Sequence, residues 1–243
     1  MNLMDLKEED ILGQAIYDHW YYIAKGRALR QFLGSIKVPQ VLDVGAGSGI
    51  FSRQLLDAGI CDSAICVDPN YDKEHIEEHN GKTIEFTRSI DNTTQHLSLM
   101  MDVLEHVPDD TALVKEYSDT MEKGAYVLIT VPAFSFLWSG HDVFLEHYRR
   151  YTPKMLHRAV QDAGLEVVQT RLFFASLFPL VALIRLVKNV LRKKGAIEPR
   201  SELAIYPKWL NKLLIAIHGI ERVSLFRINK LAGLSIFCLC RKP

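Results

Sequence analysis

The chain is short of several things, and each shortage excludes a class of protein. It has only four cysteines in 243 residues and no C-x-x-C. Neither a disulfide framework nor a metal finger is therefore encoded. Cys61 and Cys66 lie near one predicted strand, and Cys238 and Cys240 alternate along another. All four read as buried thiols in a reducing cytosol. No long apolar run is present: the longest uncharged one, Leu172 to Ile184, spans thirteen residues, short of the roughly 20 that cross a bilayer. The opening MNLMDLKEEDILG is acidic and lacks the apolar stretch of a signal peptide, which predicts a cytoplasmic protein. Net charge is absent too, with 29 Lys+Arg against 29 Asp+Glu. What remains is ordinary globular composition, 48% hydrophobic and 24% charged, which excludes wholesale disorder, collagen and a mini-protein.

The zero charge is a cancellation. Residues 1–170 carry 15 basic and 26 acidic side chains, and residues 171–243 carry 14 and 3, so a −11 part precedes a +11 part. Such a split indicates that the two meet different surroundings.

Along the chain, Leu3 to Leu33 reads as helical with breaks near Gly13 and Gly26. Short apolar strands then alternate with helices: Val41–Val44, Ala64–Val67, Thr83–Phe86, Leu97–Val103, Ala125–Val131 and Leu165–Phe174. A polar helix is expected around Asp72–Glu78, one from Asp109 or Asp110 to Glu122, and one opened by Thr152-Pro153. Alternation of this kind predicts an α/β doubly wound sheet. Two helical stretches, 175–193 and 207–226, precede a last strand, Leu234–Cys240. The expected organisation is an N-terminal helical segment at 1–36, a cofactor-binding α/β core at 37–174, a helical cap at 175–233 and a returning strand at 234–243.

VLDVGAGSGIFSRQLL is a strand, a G-x-G-x-G turn and a helix. Glycines admit positive φ and let a ligand approach the backbone, and the helix N-terminus offers free N–H groups. Asp68, at the end of the AICVD strand, stands where a carboxylate accepts ribose hydroxyls. Asp43 lies within the first strand. The third glycine comes one residue early for the dinucleotide fingerprint, which weakens a nicotinamide reading without removing it. Asp102, Glu105 and His106 follow the fourth strand, at the edge where open α/β sheets bind ligands. Helical continuation places them on one face.

V-L-D-V-G-A-G-S-G at 41–49, V-D at 67–68 and M-D-V-L-E-H-V at 101–107 together resemble a class I S-adenosylmethionine-dependent methyltransferase of the small-molecule branch. The resemblance runs from about Tyr17 to the C-terminus. It implies a Rossmann-like seven-stranded sheet whose last strand is antiparallel. It implies S-adenosylmethionine as cofactor, with the turn of Gly45, Ala46, Gly47 and Gly49 on its methionine end, Asp68 on its ribose, and Asp43 and Asp102 also among the cofactor-binding residues. Ser89 and Ile90 stand in register for the adenine. By the same resemblance HWYYIAKGR brings Trp20 over the cofactor and Arg27 to its carboxylate; an aromatic-packed helix with a surface arginine is the competing reading.

His106 suits a general base for a hydroxyl acceptor. D-x-x-E-H also resembles the E-x-x-E-H cation site of some methyltransferases, with His141 or His147 as a fourth ligand for Mg²⁺ or Mn²⁺; the metal-free reading is preferred. Pro132 to Pro153 reads as a long irregular binding loop. It carries His141, His147, Arg149 and Arg150, and its L-W-S-x-H-D…H-x-R-R-Y resembles a bacterial methyltransferase subgroup. Paired arginines suit a carboxylate or phosphate.

The expected function is methyl transfer, preferentially to oxygen, on a small-molecule or lipid/glycan-linked acceptor. An NAD-type oxidoreductase and a non-catalytic nucleotide-binding scaffold are the alternatives. The basic part leaves two partners open: a cap or homodimer contact, and a membrane surface met by residues 172–194. Nucleic acid is not expected, because the basic residues sit beside apolar ones.

Overall fold

The computed structural model describes residues 11–191 and 197–243. The helical start expected before residue 11 and the basic run Arg192-Lys193-Lys194 lie outside the described residues.

Eight strands form one sheet: β1 (Gln40–Val44), β2 (Ser63–Val67), β3 (His75–His79), β4 (Lys82–Thr87), β5 (Leu97–Met101), β6 (Tyr126–Pro132), β7 (Glu166–Phe173) and β8 (Ser235–Arg241). Their order is β3-β4-β2-β1-β5-β6-β8-β7. β4, β2, β1, β5 and β6 run parallel. β8 is antiparallel to both β6 and β7. The apolar runs LSLMM and SIFCLC are buried throughout, as strands covered on both faces must be.

Helices cover the two faces. One layer packs α1 (Trp20–Leu33) and α2 (Ile50–Asp57) on the sheet through Leu29, Leu55 and Phe237. The other packs α3 (Asp110–Ser118) and α5 (Pro153–Asp162) through Val114, Leu156 and Ile129. The fold is the expected doubly wound α/β sheet with an antiparallel last strand.

Three local expectations need correction. The polar helix around 72–78 is instead β3, an eighth strand antiparallel to β4. Asn80 and Gly81 join the two with φ of +52° and +78°, the paired positive angles of a two-residue hairpin turn. Gly26 does not break α1, which starts after His19 and runs through it. A Cβ on Gly26 would meet the movable end of the Gln54 side chain of α2. Third, α3 stops at Ser118 rather than Glu122.

Pro179 is the second residue of α6 (Phe178–Leu191) and starts that helix rather than kinking it. α7 (Lys208–Ser224) lies along α1. No helix among the described residues is long and apolar enough to cross a membrane.

Candidate active site

The C-terminal ends of the parallel strands share one edge. The glycine turn follows β1, Asp68 follows β2, Ser89 and Ile90 follow β4, and Asp102 follows β5. Gly45 has φ +67°, and a Cβ there would lie 2.8 Å from Val103 Cγ2. Only glycine fits between the turn and the segment after β5. The Tyr71 hydroxyl pins the turn by donating to the Gly47 carbonyl at 2.7 Å. The Ser48 hydroxyl is buried in the turn with no partner among the described residues. Asp68 is buried, and its Oδ1 accepts from the Asn70 backbone and side chain at 2.9 and 2.8 Å. That leaves Oδ2 for the two hydroxyls of a ribose. Ser89 is exposed, and Ile90 packs half-buried against the layer that holds Val67. Asp43 lies beneath the turn, buried inside β1, where it accepts from the Ser52 hydroxyl at 2.8 Å. Burial pushes its carboxyl up to about 7 against that bond.

Asp102 departs from the helical placement expected for it. Its φ is +57°, so the chain turns sharply before the short turn Leu104–His106. Its carboxylate then faces α1. Lys25, fully buried, forms an ion pair with Asp102 Oδ2. The Tyr21 hydroxyl donates to the same oxygen at 3.1 Å, and the Thr130 hydroxyl to Oδ1 at 3.1 Å. Burial alone would raise the Asp102 carboxyl; Lys25 and these donors hold it below its ordinary value. A buried charge persists only when paired in this way.

Arg27 stands two residues beyond Lys25 and projects from another side of α1. It faces a groove shared with Arg30, Gln31, Arg222 and Arg227. The cation that HWYYIAKGR delivers to the sheet edge is therefore Lys25 rather than Arg27. Trp20 stacks on His218 of α7, with ring centroids 5.3 Å apart.

A cavity of about 320 Å³ adjoins Asp102. Trp20 and Tyr21 wall it from α1, and Leu177, Val181 and Leu203 from the cap. Glu105, His141, His147 and Arg150 bring its polar groups. The segment behind it is less irregular than expected. Ser139 and Asp142 form a reciprocal capping box that starts α4 (Gly140–Phe144), as an S-x-x-D spacing can.

Asp142 organises this end of the cavity. Arg150 grips it with two bonds, 2.6 Å to Oδ1 and 3.1 Å to Oδ2. His147 Nδ1 lies 3.0 Å from Oδ1. Burial would raise the Asp142 carboxyl, but the His147 bond and Arg150 hold it well below the usual carboxylate range. A permanent acceptor fixes the His147 proton on Nδ1 and leaves Nε2 as the nitrogen with the free lone pair. That Nε2 is buried with no partner among the described residues. Arg150 is thus spent on Asp142 and the Ala133 carbonyl and is not the anion clamp expected of it. Arg149 points elsewhere, to the Leu104 and Pro108 carbonyls and Asp110, and so braces the loop.

Glu105 is buried, and burial together with the nearby Asp102 charge raises its carboxyl well above normal. Burial, with Arg150 and Arg185 nearby, pushes His141 down to about 4 against the pull of Asp142. Glu105, His106 and His147 bring one ligand-type atom each within 4.8 Å of one another. Asp102, engaged by Lys25, is not among them. A cation at these three would need an ionised Glu105, the form that its burial disfavours.

Lys25, Asp142 and Arg185 are site residues that sequence reasoning missed. Lys25 sits one helical turn after Tyr21, and Asp142 lies three residues after its capping partner Ser139. Arg185 is separated from the core by a long stretch of chain, and no local pattern marks it.

Residues 17–170 match the family model described as a methyltransferase domain, which is more than half of the chain. The chain belongs to this family. An uncharacterised methyltransferase of Mycobacterium leprae (strain TN) is 28% identical over 161 residues, 58% of this chain and 54% of that one. The chain thus spans about half the length of the curated relatives it matches. Among solved structures, an S-adenosylmethionine-dependent methyltransferase from Archaeoglobus fulgidus superposes with a TM-score of 0.53 at 18% identity. That match covers 98% of each chain. The phosphoethanolamine N-methyltransferase 2 of Haemonchus contortus, in complex with S-adenosyl-L-methionine, gives 0.54 at 14% identity, covering 90% of this chain and 52% of that one.

S-Adenosylmethionine is the cofactor of this methyltransferase family, and the sheet edge fits it. The cofactor's amino-acid end is a zwitterion, and the Asp102 carboxylate, held ionised by buried Lys25, lines the cavity as a partner for its ammonium. The orphaned Ser48 hydroxyl and the free Asp68 oxygen are further groups that the cofactor would satisfy. The nicotinamide alternative gives way to this family.

Proposed function

We propose that this methyltransferase places the methyl group of S-adenosylmethionine on a hydroxyl oxygen of a small-molecule or lipid-linked acceptor held in the cavity. The bound cofactor supplies a methyl carbon already activated on a sulfonium. What the chain must add is orientation and a place for the acceptor's proton. The observation that carries the reading is the Asp142–His147 pair. An amine attacks through its own lone pair, whereas a hydroxyl gains from a base that removes its proton. His147 Nε2 is that base, Asp142 stabilises the imidazolium that results, and Arg150 keeps Asp142 ionised. Glu105, its carboxyl raised by burial, and neutral His141 supply hydrogen bonds that hold the acceptor. Lys25 and Asp102 hold the methionine end of the cofactor, the Gly45–Gly49 turn and Asp68 take the rest, and Ile90 flanks the adenine. The wall of Trp20, Leu177 and Val181 excludes water from the transfer.

The test is methyl transfer from methyl-labelled S-adenosylmethionine to matched pairs of acceptors that differ only in hydroxyl or amine. Label is expected on oxygen, with little transfer to the amine partners. Transfer to nitrogen alone overturns the reading.

A further inference from the structure

Helices α6 and α7 are built inside out. A helix on a protein surface ordinarily turns its apolar stripe inward and its charges to water. On α6 the residues Leu180, Leu183, Ile184, Val187 and Leu191 recur at helical spacing, and all are exposed, Leu183 at 60% and Leu191 at 75%. Arg185 faces the opposite way, 8% exposed, paired to Glu202 and lining the cavity. On α7 the exposed large apolar residues are Trp209, Leu213, Ile220 and Val223, with Trp209 at 68%. The buried ones include His218 and Glu221, bonded to each other at 3.1 Å. Glu221 also accepts the backbone N–H groups of Ala175 and Ser176 just before α6, which ties the two helices together. Exposed Ile228 and Leu231 extend the apolar surface. Soluble monomers rarely leave so many large apolar side chains exposed on two helices without a partner.

We propose that α6 and α7 dock on the surface of an anionic lipid bilayer and that the cavity takes an acceptor drawn from that bilayer. The acceptor would be an amphiphile with a hydroxyl-bearing head and an apolar tail. This inference rests on the hydroxyl-acceptor reading of the cavity. Charge selects the occupant. Lys188, Lys208, Lys212, Arg227 and Lys230 are exposed around these apolar faces, in a part of the chain with 14 basic and 3 acidic residues. A second copy would set like charges against one another. Anionic headgroups neutralise them, each basic residue near the surface adding to binding. An exposed tryptophan suits the headgroup level. The apolar stretches are too short to span, so the helices lie in the interface. Because α6 walls the cavity with Val181 and Arg185 and turns its other face outward, the reacting groups stand about one helix diameter, roughly 10 Å, from the lipid.

Flotation of the full chain with vesicles tests this without any methyl transfer. The vesicles are phosphatidylcholine alone, or phosphatidylcholine mixed with phosphatidylglycerol. The chain is expected to float with the mixed vesicles at low salt and to be released by high salt. Lys212→Ala should lower partitioning about fivefold. Leu183→Glu with Val187→Glu should abolish it while leaving the melting temperature and S-adenosylhomocysteine binding unchanged. If that variant does not fold, Lys208→Ala with Lys212→Ala serves in its place. No flotation at low salt, or flotation indifferent to these substitutions, overturns the docking. So does a lipid-free dimer in sedimentation velocity that Leu183→Glu dissolves, which would assign the face to a second copy. Docking without methyl transfer to hydroxyl amphiphiles added to the same vesicles would instead overturn the acceptor class.

Discussion

His147 Nδ1 stands 3.0 Å from Asp142 Oδ1, and the same carboxylate is gripped by Arg150 at 2.6 Å. The three form a chain in which an always-charged guanidinium keeps a carboxylate ionised and the carboxylate fixes a tautomer. Removing the base should leave binding intact and slow the chemistry. His147→Ala is expected to lower kcat about 10²–10⁴-fold, with S-adenosylhomocysteine affinity, read by calorimetry, unchanged. Asp142→Asn should follow it, because an amide donates as readily as it accepts and no longer fixes the tautomer. Parallel loss of cofactor affinity would assign these residues to the cofactor.

Lys25 and Asp102 pair in the interior. Taking one partner away leaves an uncompensated buried charge, at a cost of about 3–5 kcal/mol. Lys25→Met should therefore lower the melting temperature sharply. Lys25→Met combined with Asp102→Asn should recover much of that stability and still bind S-adenosylhomocysteine poorly. Recovery of both would mean that the pair is structural and plays no part in holding the cofactor.

Arg27 faces the groove with Arg30 and Arg222 rather than the sheet edge. Arg27→Ala is expected to leave the S-adenosylhomocysteine dissociation constant within about twofold of the native value, since a surface substitution away from the site changes little. A tenfold rise would return Arg27 to the cofactor.

Asp43 gives a pH signature. Burial raises its carboxyl from 3.8 to about 7, so the folded chain keeps a proton that the unfolded chain releases from about pH 4 upward. Its contribution to stability therefore falls as pH rises between about 4 and about 7. In thermal melts across that window, Asp43→Asn should lose this downward contribution relative to the native chain. Identical pH profiles would mean that Asp43 ionises within the fold.

Glu105, His106 and His147 lie close enough to share a cation, but burial and the nearby Asp102 charge raise the Glu105 carboxyl and so oppose one. Turnover is expected to survive treatment with a chelator. Turnover lost on chelation and restored by Mn²⁺ would recast His147 as a ligand rather than a base.

The fold was legible because its signals are local and periodic. Apolar strand runs, the G-x-G-x-G turn and Thr152-Pro153 each state their own conformation. The missed strand β3 was legible as well: Asn80-Gly81 is a strong hairpin signal, but the polar composition of His75–His79 hides an edge strand. Gly26 misled because a glycine inside a helix looks the same in sequence as one that ends a helix. The site was harder to read. Charged residues in H-W-Y-Y-I-A-K-G-R can serve either side of a helix, and Arg27 and Lys25 differ only by rotation about its axis. The paired arginines 149 and 150 suggested a ligand, yet the acidic partners that occupy them, Asp110 and Asp142, are set by the tertiary fold.

The last strand, β8, lies between β6 and β7, and among the described residues β7 bonds to no other strand. In vectorial synthesis β7 leaves the ribosome before its partner β8 exists. It must wait while α6 and α7, with their apolar outer faces, emerge and β8 follows. Through that interval the nascent chain offers an open sheet edge and two greasy helices at once, the combination most exposed to misassembly. A lipid surface or a chaperone that covers α6 and α7 during that wait would shelter the unfinished sheet as well, so the same two faces govern both where the chain works and how safely it is made.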